Sequence, residues 1–146
     1  MNIVEDTKNV PKSKVVNPEC TVAKGQCFVN TVVELMRKNG YADARANTRR
    51  TCDYMCDAMA TDPCGRKMVL QMKCHYDGCK EGKAAVIEAA SARLNYSAEI
   101  AIAVTNTAFS NVAKEKADEM NLILWDGKYL STILGWDGRR FASSSE

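Results

Sequence analysis

Residues 67–75 read KMVLQMKCH. Side chains on a strand point alternately to its two sides. Met68, Leu70, Met72 and Cys74 therefore share one face, and Val69, Gln71 and Lys73 share the other. An amide and an ammonium thus stand one alternation apart, roughly 7 Å at about 3.3 Å per residue. A lysine drawn toward a core is costly unless it is paired or has chemistry to perform. The segment therefore poses two questions: which sheet it belongs to, and what its polar pair is for.

The flanking sequence answers the first. DPCG at 62–65 carries proline and glycine where a tight turn needs them, so a strand must precede it. That strand is read in CDYMCDAMA, 52–60, and a weaker one in ADARANTRR, 42–50. Before them, GQCFVNTVVELMRKNGY places Phe28, Val32, Leu35 and Met36 at helical spacing, and Gly40 supplies a stop. Downstream, HYDGCKEG is a loop and KAAVIEAASARLNY an alanine-rich helix, its apolar face read as Ile87, Ala90 and Leu94. EIAIAVTN is apolar enough for a central strand. FSNVAKEKADEMN is an amphipathic helix, LILW a short strand and GKYLSTILG a short helix. The order αβββαβαβα predicts an α/β fold: a mixed sheet with helices on both faces. WDGKYL at 125–130 and WDGRRF at 136–141 are read as reused turn chemistry.

The 146 residues suit one domain with one core. An irregular lead-in is expected over 1–23, the folded domain over 24–135 and a tail over 136–146. The opening residues lack an apolar export segment, and no apolar run reaches the roughly 20 residues of a membrane span. Seven cysteines, an odd number, argue against a disulfide framework. These features predict a soluble cytoplasmic protein with no membrane partner. The net charge of +2 does not by itself declare a nucleic-acid partner.

The hairpin through DPCG brings Asp57 near Gln71 and Lys73. Carboxylate and amide oxygens suit Mg²⁺, with Mn²⁺ as a substitute. Such a cation activates water and offsets charge on a phosphate, and a lysine beside it stabilises the same charge. Three plainer readings stand beside this one. Asp57 could be a strand-end carboxylate accepting turn hydrogen bonds. Gln71 and Lys73 could be the solvated face of an edge strand, where lysine blocks aggregation. Cys52, Cys56, Cys64, Cys74, His75 and Cys79 could include zinc ligands, although no C-x2-C pair occurs among them.

The spacing from Asp57 to Gln71 and Lys73, D-x(13)-Q-x-K, resembles the PD-(D/E)xK nuclease motif in the glutamine variant of Mrr-like restriction endonucleases. GQCF followed by NGY resembles that branch's first helix, and CDYMCD its D-x-G-x-D segment, with Met55 at the glycine. TNTAFSNVAKEKADEMNLILWDGKYL is similar to its closing helix, strand and turn. The likeness runs from about Gly25 to Leu130. It implies a restriction-endonuclease-like fold with an αβββαβ core over 24–135 and a metal-dependent DNA endonuclease. Asp57 and Gln71 would hold Mg²⁺, and Lys73 would position or activate water. Arg49, Arg50, Lys80 and Lys83 flank the motif as candidate phosphate contacts, and a homodimer is compatible with this reading. The family's helix carries Glu after Phe, where this chain has Val29. Glu34 lies about 140° further around the helix at 100° per residue and cannot substitute for it. A DNA-binding or assembly module of the same fold, without the chemistry, is the alternative.

Overall fold

The computed structural model describes residues 18–47 and 56–138. Helix α1 spans Pro18–Lys38, β1 Arg45–Ala46, β2 Ala58–Thr61, β3 Lys67–Lys73 and α2 Lys83–Asn95. Then follow β4 Ile100–Thr105, α3 Asn111–Glu119, β5 Ile123–Trp125 and α4 Gly127–Thr132. This is the element order the sequence predicts. Helix α1 starts earlier than expected, at Pro18 rather than Gly25. Proline suits a first helical turn because its missing N–H has no intrahelical partner there.

The five strands lie in the order β1-β2-β3-β4-β5. β1, β2 and β3 form an antiparallel meander, and β4 and β5 add in parallel to β3. The β2–β3 turn is built on Asp62, whose Oδ1 accepts the N–H groups of Cys64 and Arg66 at 3.0 and 2.8 Å. Its Oδ2 meets Arg66 Nε at 2.7 Å. These donors, backbone first, hold the Asp62 carboxyl below the usual range. Among the described residues no helix is long and apolar enough to cross a membrane.

The alternation in KMVLQMK separates two cores. Met68, Leu70 and Met72 join Phe28, Val29, Val32, Val33 and Met36 of α1, together with Leu130 beyond the sheet. Val69 faces the other way, with Ala85, Val86, Ala89 and Ala92 of α2 and Ala113 and Ala117 of α3. β4 divides likewise, Ile102 and Val104 toward α1 and Ala101 and Ala103 toward α2.

One expectation is corrected here. Helix α2 does not bury Ile87 and Leu94, which are 42% and 82% exposed. It buries Ala85, Val86, Ala89 and Ala92. The floor beneath it is Val69, Ala101 and Ala103, and small residues on both sides let helix and sheet approach closely. Turning Ile87 and Leu94 inward would require a gap that this floor does not leave.

Candidate active site

Strand β2 begins at Ala58, which pairs with Leu70. Asp57 is the residue just before it. Its N–H donates to the Leu70 carbonyl at 2.9 Å, and its carbonyl accepts from Asn47 N–H at 2.9 Å. Its carboxylate Oδ2 accepts the Met72 N–H at 2.8 Å. A side chain thus takes a ladder donor just past the end of β2. Burial raises the Asp57 pKa; the Met72 N–H and the charge of Lys73 oppose the rise, and the charge of Glu88 adds to it. Asp57 is therefore a carboxylate held partly out of water among charged neighbours.

Gln71 lies in the middle of the sheet and is 7% exposed. Its Nε2 donates to Glu88 Oε1 at 3.1 Å. Its Oε1 is buried and has no hydrogen-bond partner among the described residues. Such a lone acceptor is rare and costs stability unless something occupies it. Lys73 Nζ meets the same Glu88 Oε1 at 2.8 Å, with its side chain 33% exposed. The structure thus places Asp57, Gln71 and Lys73 at one end of the β2–β3 pair, on the α2 side of the sheet.

Glu88 is the member that sequence reasoning missed. It sits on α2 three residues after Ala85 and four before Ala92, next to the stripe that packs on β3. The β3–α2–β4 crossover lays that stripe over the face carrying Gln71 and Lys73. Once the buried stripe of α2 is chosen correctly, the carboxylate is legible.

The end of β3 is held by the segment after β4. Asn106 Oδ1 accepts His75 N–H at 2.7 Å, and Asn106 Nδ2 donates to the His75 carbonyl at 2.6 Å. His75 Nε2 lies 2.6 Å from the buried Glu81 Oε1. Within the same block, Phe109 is buried and Ser110 caps α3 by accepting Ala113 N–H at 3.2 Å. Asp126 caps α4 by accepting Tyr129 N–H at 2.9 Å. Of these residues Asn106 holds the strand end on which Lys73 sits, while Ser110 and Asp126 fix the starts of α3 and α4.

The other expected residues fall elsewhere. Lys80, in the loop after β3, and Lys83, which opens α2, are both exposed. Arg49, Arg50 and Cys52 lie outside the described residues. Val29 is 8% exposed in the α1 core. Glu34 is exposed and pairs with Arg37 at 3.5 Å.

The donor set at Asp57 and Gln71 is all oxygen, which fits Mg²⁺ or Mn²⁺, and the lone buried Gln71 Oε1 is an acceptor a cation would satisfy. The described cysteines do not converge. Among the described residues no three His, Cys, Asp or Glu side chains form a metal cage. Cys56 Sγ donates to the Ala58 carbonyl at 3.1 Å, and burial pushes its thiol up to about 11. Cys64 and Cys79 are exposed. Cys74 packs on the α1 core.

The family model Mrr_cat, described as a restriction endonuclease, matches residues 22–134. Three solved structures share the fold. A crystal structure of a protein of unknown function superposes with a TM-score of 0.61 at 18% identity, over 73% of this chain and 59% of its own. AspBHI, a DNA modification-dependent restriction endonuclease, gives 0.53 at 17%, over 83% and 35%. MspJI restriction endonuclease, in complex with a 27-mer oligonucleotide, gives 0.50 at 16%, over 77% and 28%. The chain spans 59% or less of the length of these three. No curated protein matches the sequence.

Proposed function

The chain belongs to the Mrr_cat restriction endonuclease family, and from that premise we propose that it is a metal-dependent DNA endonuclease hydrolysing phosphodiester bonds. The observation that carries the reading is the buried, partnerless Gln71 Oε1 beside the half-buried Asp57 carboxylate, with Lys73 on the same face. Asp57 and Gln71 would hold Mg²⁺, or Mn²⁺ in its place. A divalent cation there supplies positive charge against the phosphate and makes water more acidic.

The protein groups supply the rest. Asp57, fixed by the Met72 N–H, keeps its other oxygen for the site. Lys73 presents its ammonium where negative charge develops, which favours the transition state over the ground state. In the reaction a water oxygen forms a bond to phosphorus as the P–O bond opposite it breaks. The water loses a proton, and the departing sugar oxygen takes one up. Lys80, in the loop after β3, and Lys83, at the start of α2, are exposed and are proposed phosphate contacts. The oligonucleotide in the MspJI structure supports a DNA substrate by likeness of fold.

A second reading, a DNA-binding or assembly module without chemistry, is favoured by one observation: Val29, at the position where the resemblance implies a helix glutamate, is buried in the core. A plasmid assay separates the two. Purified protein with Mg²⁺ or Mn²⁺ should nick or linearise supercoiled DNA. Asp57→Ala and Lys73→Ala should each slow cutting by about 100-fold or more while keeping the wild-type circular dichroism spectrum. Wild-type protein that binds DNA but cuts in neither metal supports the second reading.

A further inference from the structure

We infer that Glu88 is a positioning residue of this site: its carboxylate sets which end of the Gln71 amide faces the cation and anchors Lys73 beside it. The inference rests on the reading of Asp57 and Gln71 as the cation site.

A glutamine amide has one accepting end and one donating end, similar in size. As a metal ligand it works only with the oxygen toward the cation. Something must decide that orientation, and the sheet alone does not. At this site the amide nitrogen lies 3.1 Å from Glu88 Oε1. An ionised carboxylate only accepts, so it selects the NH₂ end and leaves Oε1 for the cation. That oxygen is buried and has no hydrogen-bond partner among the described residues. The same Glu88 Oε1 accepts from Lys73 Nζ at 2.8 Å. One oxygen therefore ties together two side chains of β3 that stand on a single face. A bond from a charged group is the stronger kind.

The arrangement also accounts for glutamine at position 71. A carboxylate there would stand against Glu88 at hydrogen-bond distance, and two carboxylates that close cannot both ionise freely. An amide at 71 and a carboxylate at 88 form a matched pair. The amide gives up a negative charge as a ligand, and the carboxylate behind it polarises the bond toward Oε1. Partners that orient a ligand from behind typically contribute about 10- to 100-fold to metal affinity or activity. Glu88 touches neither the phosphate nor the cation in this scheme, so its contribution is exerted through Gln71 and Lys73.

The test uses the full chain and Mn²⁺ as probe. Mn²⁺ binding is measured by the loss of the free-ion electron paramagnetic resonance signal, and plasmid nicking is measured in parallel. The proteins are wild type, Glu88→Ala and the exchange Gln71→Glu with Glu88→Gln, with Asp57→Ala as the cation-site control. Glu88 is part exposed on a helix, and alanine favours helix, so the single variant should fold; thermal melting checks this. Glu88→Ala should bind Mn²⁺ about 10- to 100-fold more weakly and nick more slowly by a similar factor. The exchange reverses donor and acceptor: the amide placed on α2 donates to the carboxylate placed on β3, which keeps an oxygen for the cation. It should recover most of the lost Mn²⁺ affinity. Glu88→Ala with Mn²⁺ affinity within about twofold of wild type overturns the inference, since the roughly 10- to 100-fold loss expected of an orienting partner would be absent. So does a loss that the exchange fails to recover, because the exchange restores an amide donor and a carboxylate acceptor between positions 71 and 88. Wild-type protein that binds no Mn²⁺, or Asp57→Ala binding it as wild type does, overturns the cation site itself and this inference with it.

Discussion

Gly127→Ala would test whether the closing motif block holds the active strand in place. Gly127 opens α4, and a Cβ built there lies 2.3 Å from the Asn106 carbonyl oxygen and 3.3 Å from that of Thr107. Its N–H donates to the Thr107 carbonyl at 2.8 Å. Two effects oppose each other. Alanine in place of glycine at a helical position gains up to about 1 kcal/mol from helix preference and a less free unfolded chain. Relieving the overlap by moving packed backbone costs about 1–3 kcal/mol, and weakening the Gly127–Thr107 bond costs about 1 kcal/mol more. The obstacle is main chain, which cannot swing aside, so the steric effect wins. The net loss is about 1–3 kcal/mol, or a fall in Tm of roughly 3–9 °C for a domain of this size. The displaced segment carries Asn106, whose side chain clamps both backbone groups of His75. Lys73 is two residues from that clamp, so nicking measured well below Tm should also slow. Differential scanning calorimetry and the plasmid assay give the two readouts. A variant as stable as wild type would mean that the 106–107 backbone yields freely. A destabilised variant with unchanged nicking at low temperature would mean that the clamp does not govern Lys73.

Two further predictions concern the site and its surroundings. Asp57→Asn should cut DNA poorly yet melt higher than wild type at neutral pH in metal-free buffer. Burial raises the Asp57 pKa, so its favourable contribution is present below the ordinary value of 3.8 and is lost as pH rises through the folded value. The Tm advantage of the uncharged variant should therefore grow as pH rises from 3.8 toward neutrality; an advantage that is flat or reversed across this window refutes the assignment. Val29→Glu should destabilise the protein by about 2–3 kcal/mol in the absence of metal, because it puts an unpaired carboxylate into the core that holds Leu70 and Met72. Recovery of its Tm by Mn²⁺ would show that α1 borders the cation site.

The element order and the two faces of β3 were legible from residues alone. Period-two alternation in KMVLQMK leaves one assignment of faces, because any slip of one residue turns every side chain over. The DPCG turn fixes the hairpin closely enough to bring Asp57 toward Gln71, and the motif spacing followed. The phase of α2 was not legible. In KAAVIEAASARLN apolar residues occur almost all the way round, so periodicity allows several buried stripes, and size favours the stripe with Ile87 and Leu94. The choice is made by what lies beneath. Ala101 and Ala103 on β4 and Val69 on β3 form a shallow floor that accepts the alanines and Val86 of α2. That packing turns Glu88 toward Gln71 and Lys73 across a separation of 17 residues to Gln71. No local pattern reports such a contact, because it depends on how closely helix and sheet approach. The sequence by itself determined the strand, its faces and the polar pair upon it; tertiary packing decided which carboxylate meets that pair and left the Gln71 oxygen open to the site.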